Sequence, residues 1–132
     1  MVFVDSNIIL DMWDHDPVWE SWSRSQFFRT SLLEETAINP IIVAELASRF
    51  KNRTNLDHAL NSLQLILLPI PREAAFQAGK AFVEYRKRGG TKTGVLPDFF
   101  IGAHAEVMGA TLLTRDIARY KTYFPSVGLI TP

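Results

Sequence analysis

The chain opens on MVFVDSNIILDMW, a short apolar run of strand formers that ends at Asp5, with apolar residues resuming at once beyond it. Met1 to Val4 reads as a buried strand, and Ser6 and Asn7 stand where they would cap a helix from Ile8 to about Trp13. The polar segment DHDP breaks that helix before a second one, from about Val18 into Leu33. INP, at Ile38 to Pro40, predicts a brief second strand feeding a helix from about Ile41 to Phe50. A further helix covers Asn55 to Leu63, and LILLPI is a third strand closed by Pro69 and Pro71. A long helix then runs from about Arg72 to Arg88 and stops at Gly89 and Gly90. Pro97 opens the helix FFIGAHAEVMGA, where a missing N–H does no harm, and Gly109 is placed to end it. TLLT, the short helix IARYKTYF and VGLIT complete the pattern. Five strands alternating with helices imply one α/β domain, residues 1–132, with a parallel sheet covered on both faces. Such sheets carry their sites at the carboxyl ends of the strands, where the chain order reverses.

Composition changes this picture little. A chain of 132 residues is the size of one domain, and a hydrophobic content of 47% excludes disorder. No apolar run approaches the roughly 20 residues of a membrane helix. Asp5 and Asp11 interrupt what would be the apolar core of a signal peptide, so a cytoplasmic protein is expected. The absence of cysteine excludes disulfides, thiolate metal sites and cysteine nucleophiles. Net charge is zero but uneven. Through Glu35 the acids Asp5, Asp11, Asp14, Asp16, Glu20, Glu34 and Glu35 face only Arg24 and Arg29, and most basic residues gather later, in SRFKNRT, YRKRGGTK and TRDIARYK. Taken alone, each basic cluster reads first as a solvated helix end.

Four carboxylates stand in apolar surroundings or at strand ends. Asp5 and Asp116 follow the first and fourth strands, Glu45 interrupts IIVAELASRF, and Asp98 interrupts VLPDFFIGAHA. Each has an ordinary structural role open to it. Asp5 can cap a helix, Asp98 can complement a helix dipole, Glu45 can pair with Arg49 one turn on, and Asp116 can cap the helix it precedes. Taken together, the set is costly to bury without compensation, since buried carboxylates neutralise, pair or bind metal. If they converge, mutual repulsion raises their pKa values unless a cation intervenes. Oxygen-only ligands suit a hard divalent ion, Mg²⁺ or Mn²⁺, which polarises a phosphoryl oxygen and acidifies a bound water.

VDSNIILD, NPIIVAEL, LPDFFIGAHA and TLLTRDIARYK occur in that order across essentially the whole chain, and in order and spacing they resemble the motifs of PIN-domain nucleases, with particular similarity to VapC-type toxins of toxin–antitoxin pairs. The resemblance implies a sheet ordered 3-2-1-4-5 and an acidic set that binds Mg²⁺ or Mn²⁺. Asp5 matches the family's first aspartate, Glu45 its glutamate, Asp98 its third acid and Asp116 its fourth, most variable one. Thr114 stands where the family has a hydroxyl or amide near the fourth acid, and Asn7 matches the polar residue after the first. The activity implied is metal-dependent endoribonucleolytic cleavage of RNA, restrained by a small antitoxin. A homodimer is expected.

GGTKTG lacks the residue order of a phosphate-binding loop. As a basic loop ahead of Asp98, however, RKRGGTKTG offers Arg86, Lys87, Arg88 and Lys92 to an RNA backbone. His15, His58 and His104 share no motif, and His104 reads as a packed or hydrogen-bonded residue of its helix. Trp13, Trp19 and Trp22 cluster on the first two helices as core or as a groove for a partner's amphipathic segment. A PIN ribonuclease of RNA processing, without an antitoxin, is the alternative enzyme. A signalling receiver module would need a phosphorylatable aspartate after strand three and a lysine after strand five, and LILLPIPRE and VGLITP supply neither.

Overall fold

In a computed structural model, which describes residues 1–132, β1 (Val2–Val4) is the central strand and every one of its residues is buried. It pairs in parallel with β2 (Thr36–Ile38) on one side and β4 (Thr111–Leu113) on the other. Two-residue edge strands, β3 (Ile66–Leu67) and β5 (Leu129–Ile130), complete an all-parallel sheet in the order β3-β2-β1-β4-β5. The fold is therefore α/β with the strand order expected. A receiver module would set its third strand beside the first, whereas β3 here lies at the edge.

Seven helices cover the sheet: α1 (Ser6–Trp13), α2 (Glu20–Leu33), α3 (Pro40–Leu46), α4 (Arg53–Ser62), α5 (Arg72–Lys87), α6 (Leu96–Met108) and α7 (Ala118–Tyr123). None is long and apolar enough to cross a membrane. A single core joins Phe3, Ile9, Ile42, Phe99, Leu112 and Tyr120, drawn from β1, β4 and four of the helices.

The boundaries that move have local causes. The helix after β1 starts earlier than its apolar spacing suggests, because Asp5 is the cap: its carboxylate accepts from the Ser6 amide at 2.8 Å. Ser6 and Asn7, expected as caps, lie inside α1 and turn their side chains elsewhere. The second strand ends at Ile38 instead of running through INP. Asn39 accepts from the Ile42 amide at 3.0 Å, and Pro40 occupies the first helical position of α3. Asp16 accepts from the Val18 and Trp19 amides and so delays α2 to Glu20. Gly109, at φ 63°, ends α6 in the left-handed conformation expected of it.

His104 is fully buried on α6 against Phe3. Its Nδ1 receives the Asn39 amide at 3.2 Å, so the ring proton sits on Nε2, which has no partner. Burial holds the ring's pKa down, so His104 is a neutral core residue.

Candidate active site

Asp5 and Thr114 are the first residues beyond β1 and β4, and the two strands lie side by side in register. The Asp5 amide bonds to the Leu113 carbonyl at 2.9 Å, which fixes both residues at the switch point of the sheet. Asp5 is buried and its carboxylate is crowded with donors. Besides the Ser6 amide, Thr114 Oγ1 donates to Oδ2 at 2.7 Å, Tyr120 Oη at 3.2 Å and Asn7 Nδ2 at 3.3 Å. Asn7 Nδ2 also stands 3.3 Å from Thr114 Oγ1, while its Oδ1 accepts from the Arg115 amide. Asp116 places its own amide 3.0 Å from Thr114 Oγ1. Asn7 and Thr114 thus tie Asp5 to the loop that carries Asp116.

The other two acids come from helices. Glu45, half-buried on α3, accepts from Ser6 Oγ at 3.0 Å, so the residue after Asp5 bridges the two carboxylates. Its pairing with Arg49 does not form, because Arg49 turns away to Asp14 at 2.7 Å. Asp98 lies in the first turn of α6, where the dipole favours an acid. Asp116 caps nothing: α7 begins after Ile117 without a side-chain cap. Instead Arg119, from the first turn of α7, bonds Asp98 and stands 3.5 Å from Asp116.

The electrostatics join the four acids into one site. Burial pushes the Asp5 pKa up to about 6, with Glu45 adding repulsion and the Thr114, Ser6 and Tyr120 bonds opposing it. Burial also pushes Asp98 to about 6, with repulsion from Asp5 and Asp116 partly offset by Arg119. Glu45 is raised by burial and by Asp98, against its bond from Ser6. Tyr120 is held well above its ordinary value, by burial first, and remains a phenol that donates to Asp5. No three acidic or histidine side chains stand close enough to ligate one ion together in this geometry. The chemistry of the donor set nevertheless fits a hard divalent cation. It is oxygen-only, and each of Asp5, Glu45 and Asp98 is destabilised by another carboxylate that a cation would neutralise.

The basic segment reaches α6 through an aromatic chain. Arg86, Lys87, Arg88 and Lys92 are all exposed at the end of α5 and in the loop that leads into α6. Arg88 sits over the Tyr123 ring, which meets Phe99 edge-on at 5.1 Å, and Phe99 adjoins Asp98. Lys92 is anchored by its amide to Tyr85 Oη at 3.0 Å. The tryptophans separate in role. Trp13 and Trp22 both lean on the core; Trp22 meets Trp19 edge-on, Trp19 lies beneath the Arg115 guanidinium, and Trp13 packs against Phe50 beside an open concavity.

The sequence pattern missed Ser6, Arg119, Tyr120 and the buried Asp11. The Asp116–Arg119 spacing, one helical turn, was the available signal for Arg119. Nothing local marked the Tyr120–Asp5 bond or the Arg115–Asp11 ion pair, each of which joins residues more than a hundred positions apart in the chain.

Comparison with known proteins now bears on this arrangement. The model of the PIN domain matches residues 2–125. The chain belongs to the PIN-domain family. Its fold is similar to that of VapBC2 from Rickettsia felis bound to a DNA fragment from its promoter, with a TM-score of 0.74 and 22% identity over 100% of this chain and 99% of that one. It is similar to a chain of a toxin–antitoxin complex from Klebsiella pneumoniae, TM-score 0.73 and 20% identity over 100% and 98%. VapBC-1 from nontypeable Haemophilus influenzae gives 0.70 and 22% over 99% and 98%. Comparison with curated proteins returns no match. The PIN domain here thus spans nearly the full length of each structural neighbour, and at these identities the likeness is one of fold.

Proposed function

We propose that this PIN domain is a Mg²⁺- or Mn²⁺-dependent endoribonuclease and the toxin of a type II toxin–antitoxin pair, working in the cytoplasm. The observation that carries the reading is the gathering of Asp5, Glu45 and Asp98, three carboxylates from separate elements, at the sheet's switch point, where burial first and their mutual repulsion second push their pKa values up. In this reading Asp5, Glu45, Asp98 and Asp116 hold the ion. When bound, a hard divalent ion polarises the phosphoryl oxygen and lowers the pKa of the attacking water. The chain's own donors do the rest. Thr114, Asn7 and Tyr120 fix Asp5 in one rotamer, and Ser6 fixes Glu45, so the ligands are oriented before the ion arrives. Arg86, Lys87, Arg88 and Lys92 supply the phosphate contacts that hold an RNA backbone beside Asp98.

The neighbouring structures include VapBC and toxin–antitoxin complexes, which supports an antitoxin as partner. A homodimer belongs to the same reading, and Phe76 and Val83, both at least half exposed on one face of α5, offer an apolar strip for it. The test is cleavage of a single-stranded RNA by the purified chain. Activity is expected to vanish in EDTA and to return with Mg²⁺ or Mn²⁺. Ca²⁺ should restore it poorly, because its longer bonds and looser coordination position water less well. Undiminished cleavage in EDTA would sink the metal-dependent reading.

A further inference from the structure

Arg119 sits where the acidic site meets itself. It is the only cation that touches the four carboxylates, and it touches two of them: Nη1 donates to Oδ2 of Asp98 and lies 3.5 Å from Oδ2 of Asp116. Both contacts use the same nitrogen, so Nη2 and Nε retain their donors, with no other bond made by this side chain. The side chain is largely buried, about one-fifth exposed, which makes the pair more than a casual surface contact. Its backbone position is firm as well. The next residue, Tyr120, is fully buried and bonded to Asp5, so α7 is docked onto the site by one residue while Arg119 reaches into it from the same turn.

A guanidinium and a divalent ion compete for the same oxygens. The metal reading assigns Asp98 and Asp116 to the ion, yet in this geometry Oδ2 of each faces Arg119 and no three acids close on a common point. Both states draw on Oδ2 of Asp98. We propose that Arg119 is an exchangeable internal counter-cation: it neutralises Asp98 and Asp116 until a divalent ion displaces it, and the released guanidinium then binds the scissile phosphate. The inference rests on the metal-nuclease reading above. Displacement costs the ion the energy of one charge-assisted contact, so the bare site is held folded and its metal affinity is set below the limit that four carboxylates allow. Once freed, Arg119 lies within a side chain's reach of the same carboxylates, and hence of any phosphate bound to their ion. A planar fork with five donors is suited to that phosphate.

This assignment gives two effects of opposite sign, which simple damage to the site does not. Removing the guanidinium should tighten the ion and slow the chemistry. The experiment is Mn²⁺ titration by calorimetry of the wild type, Arg119→Gln, Arg119→Lys and, as an equal change of net charge on an exposed residue of the same helix, Lys121→Gln. RNA cleavage is then followed at saturating Mn²⁺. Arg119→Gln should bind Mn²⁺ about tenfold more tightly and cleave with kcat/KM reduced about 100-fold. Lys121→Gln should match wild type in both. Arg119→Lys, which keeps the charge but loses the fork, should lie between and covers the case in which the glutamine variant fails to fold. Unchanged or weaker Mn²⁺ affinity in folded Arg119 variants would overturn the exchange. Tighter Mn²⁺ with unimpaired cleavage would overturn the phosphate contact. If those results came with Mn²⁺ binding that Asp5→Asn abolishes, the metal-nuclease reading would stand and this inference alone would fall. If no form bound Mn²⁺ at all, both would fall together.

Discussion

At the scale of single residues the site stores charge at the expense of stability. Asp5 is ionised at neutral pH although burial has raised its pKa from an ordinary carboxylate value to about 6. A carboxyl whose folded pKa exceeds its unfolded one stabilises the fold while protonated. That contribution is full below the unfolded value, near 4, and is lost as pH rises through about 6. Asp5→Asn removes the charge and keeps an oxygen that can cap α1. In EDTA at pH 7.5 it should therefore be more stable than wild type by about 1–3 kcal/mol. The difference should shrink to near zero at pH 4. Urea denaturation at the two pH values reads this directly, and a variant less stable at pH 7.5 would show that the hydrogen bonds outweigh the burial. The same change should abolish RNA cleavage, as should Glu45→Gln and Asp98→Asn. Asp116→Asn should be milder, since Asp116 is the more exposed and an amide oxygen still approaches a hard ion. Asp5 was legible in the sequence because a charge between two apolar blocks needs a reason. Its helix cap and its metal candidacy are both supported by the same atoms, so the ordinary and the functional explanation of this residue were never exclusive.

At the scale of elements, one buried ion pair holds the loop of Asp116 against the first two helices. Asp11, on α1 and buried, receives Arg115 Nε at 2.7 Å and Nη2 at 2.9 Å, and Ser23 of α2 donates to the same carboxylate. Arg115 closes the brace from the other side, with its amide on Asn7 and its guanidinium over Trp19. Residues 114–116 thus stand on a two-helix foundation. Asp11→Asn leaves a guanidinium without its counter-charge and should cost about 3 kcal/mol, the order seen when one partner of a buried pair is removed. It should also weaken Mn²⁺ binding severalfold in protein that remains folded, because Thr114 and Asp116 lose their anchor. Chemical denaturation and calorimetry check the two effects separately, and a loss below about 0.5 kcal/mol, the range of a neutral surface change, would remove the brace from the account. None of this was readable from the chain. Apolar blocks, prolines and glycines mark helices and strands because those are local events, which is why Gly109 and Pro97 fell where the pattern put them. Asp11 looked like an interruption of an apolar segment, and its partner lies 104 positions away. Caps failed for a related reason: Ser6 and Asn7 have capping side chains, but tertiary partners, Glu45 and Thr114, claimed them first.

At the scale of the whole molecule, the acidic first third leaves Val18 and Phe28 exposed and the three tryptophans half-buried, and the proposed antitoxin is expected on that surface. Trp13, Trp19 and Trp22 are not equivalent there. Trp19 packs on the guanidinium of the Asp11–Arg115 brace, while Trp22 and Trp13 both lean on the core, so any of the three replacements carries some cost to the fold. Trp13 alone of the three lines a concavity of about 530 Å³ with Met12, Phe50 and Ala59, rimmed by His15, Arg24 and the Asp14–Arg49 ion pair. An amphipathic segment with one large apolar side chain fits that floor. Its chain could continue toward the carboxylates, where a basic side chain would take the place that Arg119 now fills. The proposed antitoxin, if it docks here, should lose about 2 kcal/mol of binding free energy to Trp13→Ala, a hot-spot value equal to roughly a 30-fold weaker Kd. Cleavage should be nearly unchanged, because Trp13 touches neither the acids nor their supports. Cells carrying the variant would become harder to protect at a given antitoxin level. Calorimetry on the purified pair measures the affinity, and circular dichroism confirms that the variant is folded. A folded Trp13→Ala chain that binds the antitoxin as tightly as wild type would move the groove elsewhere, first to the neighbouring concavity where Val18 and Phe28 stand exposed on the far side of His15.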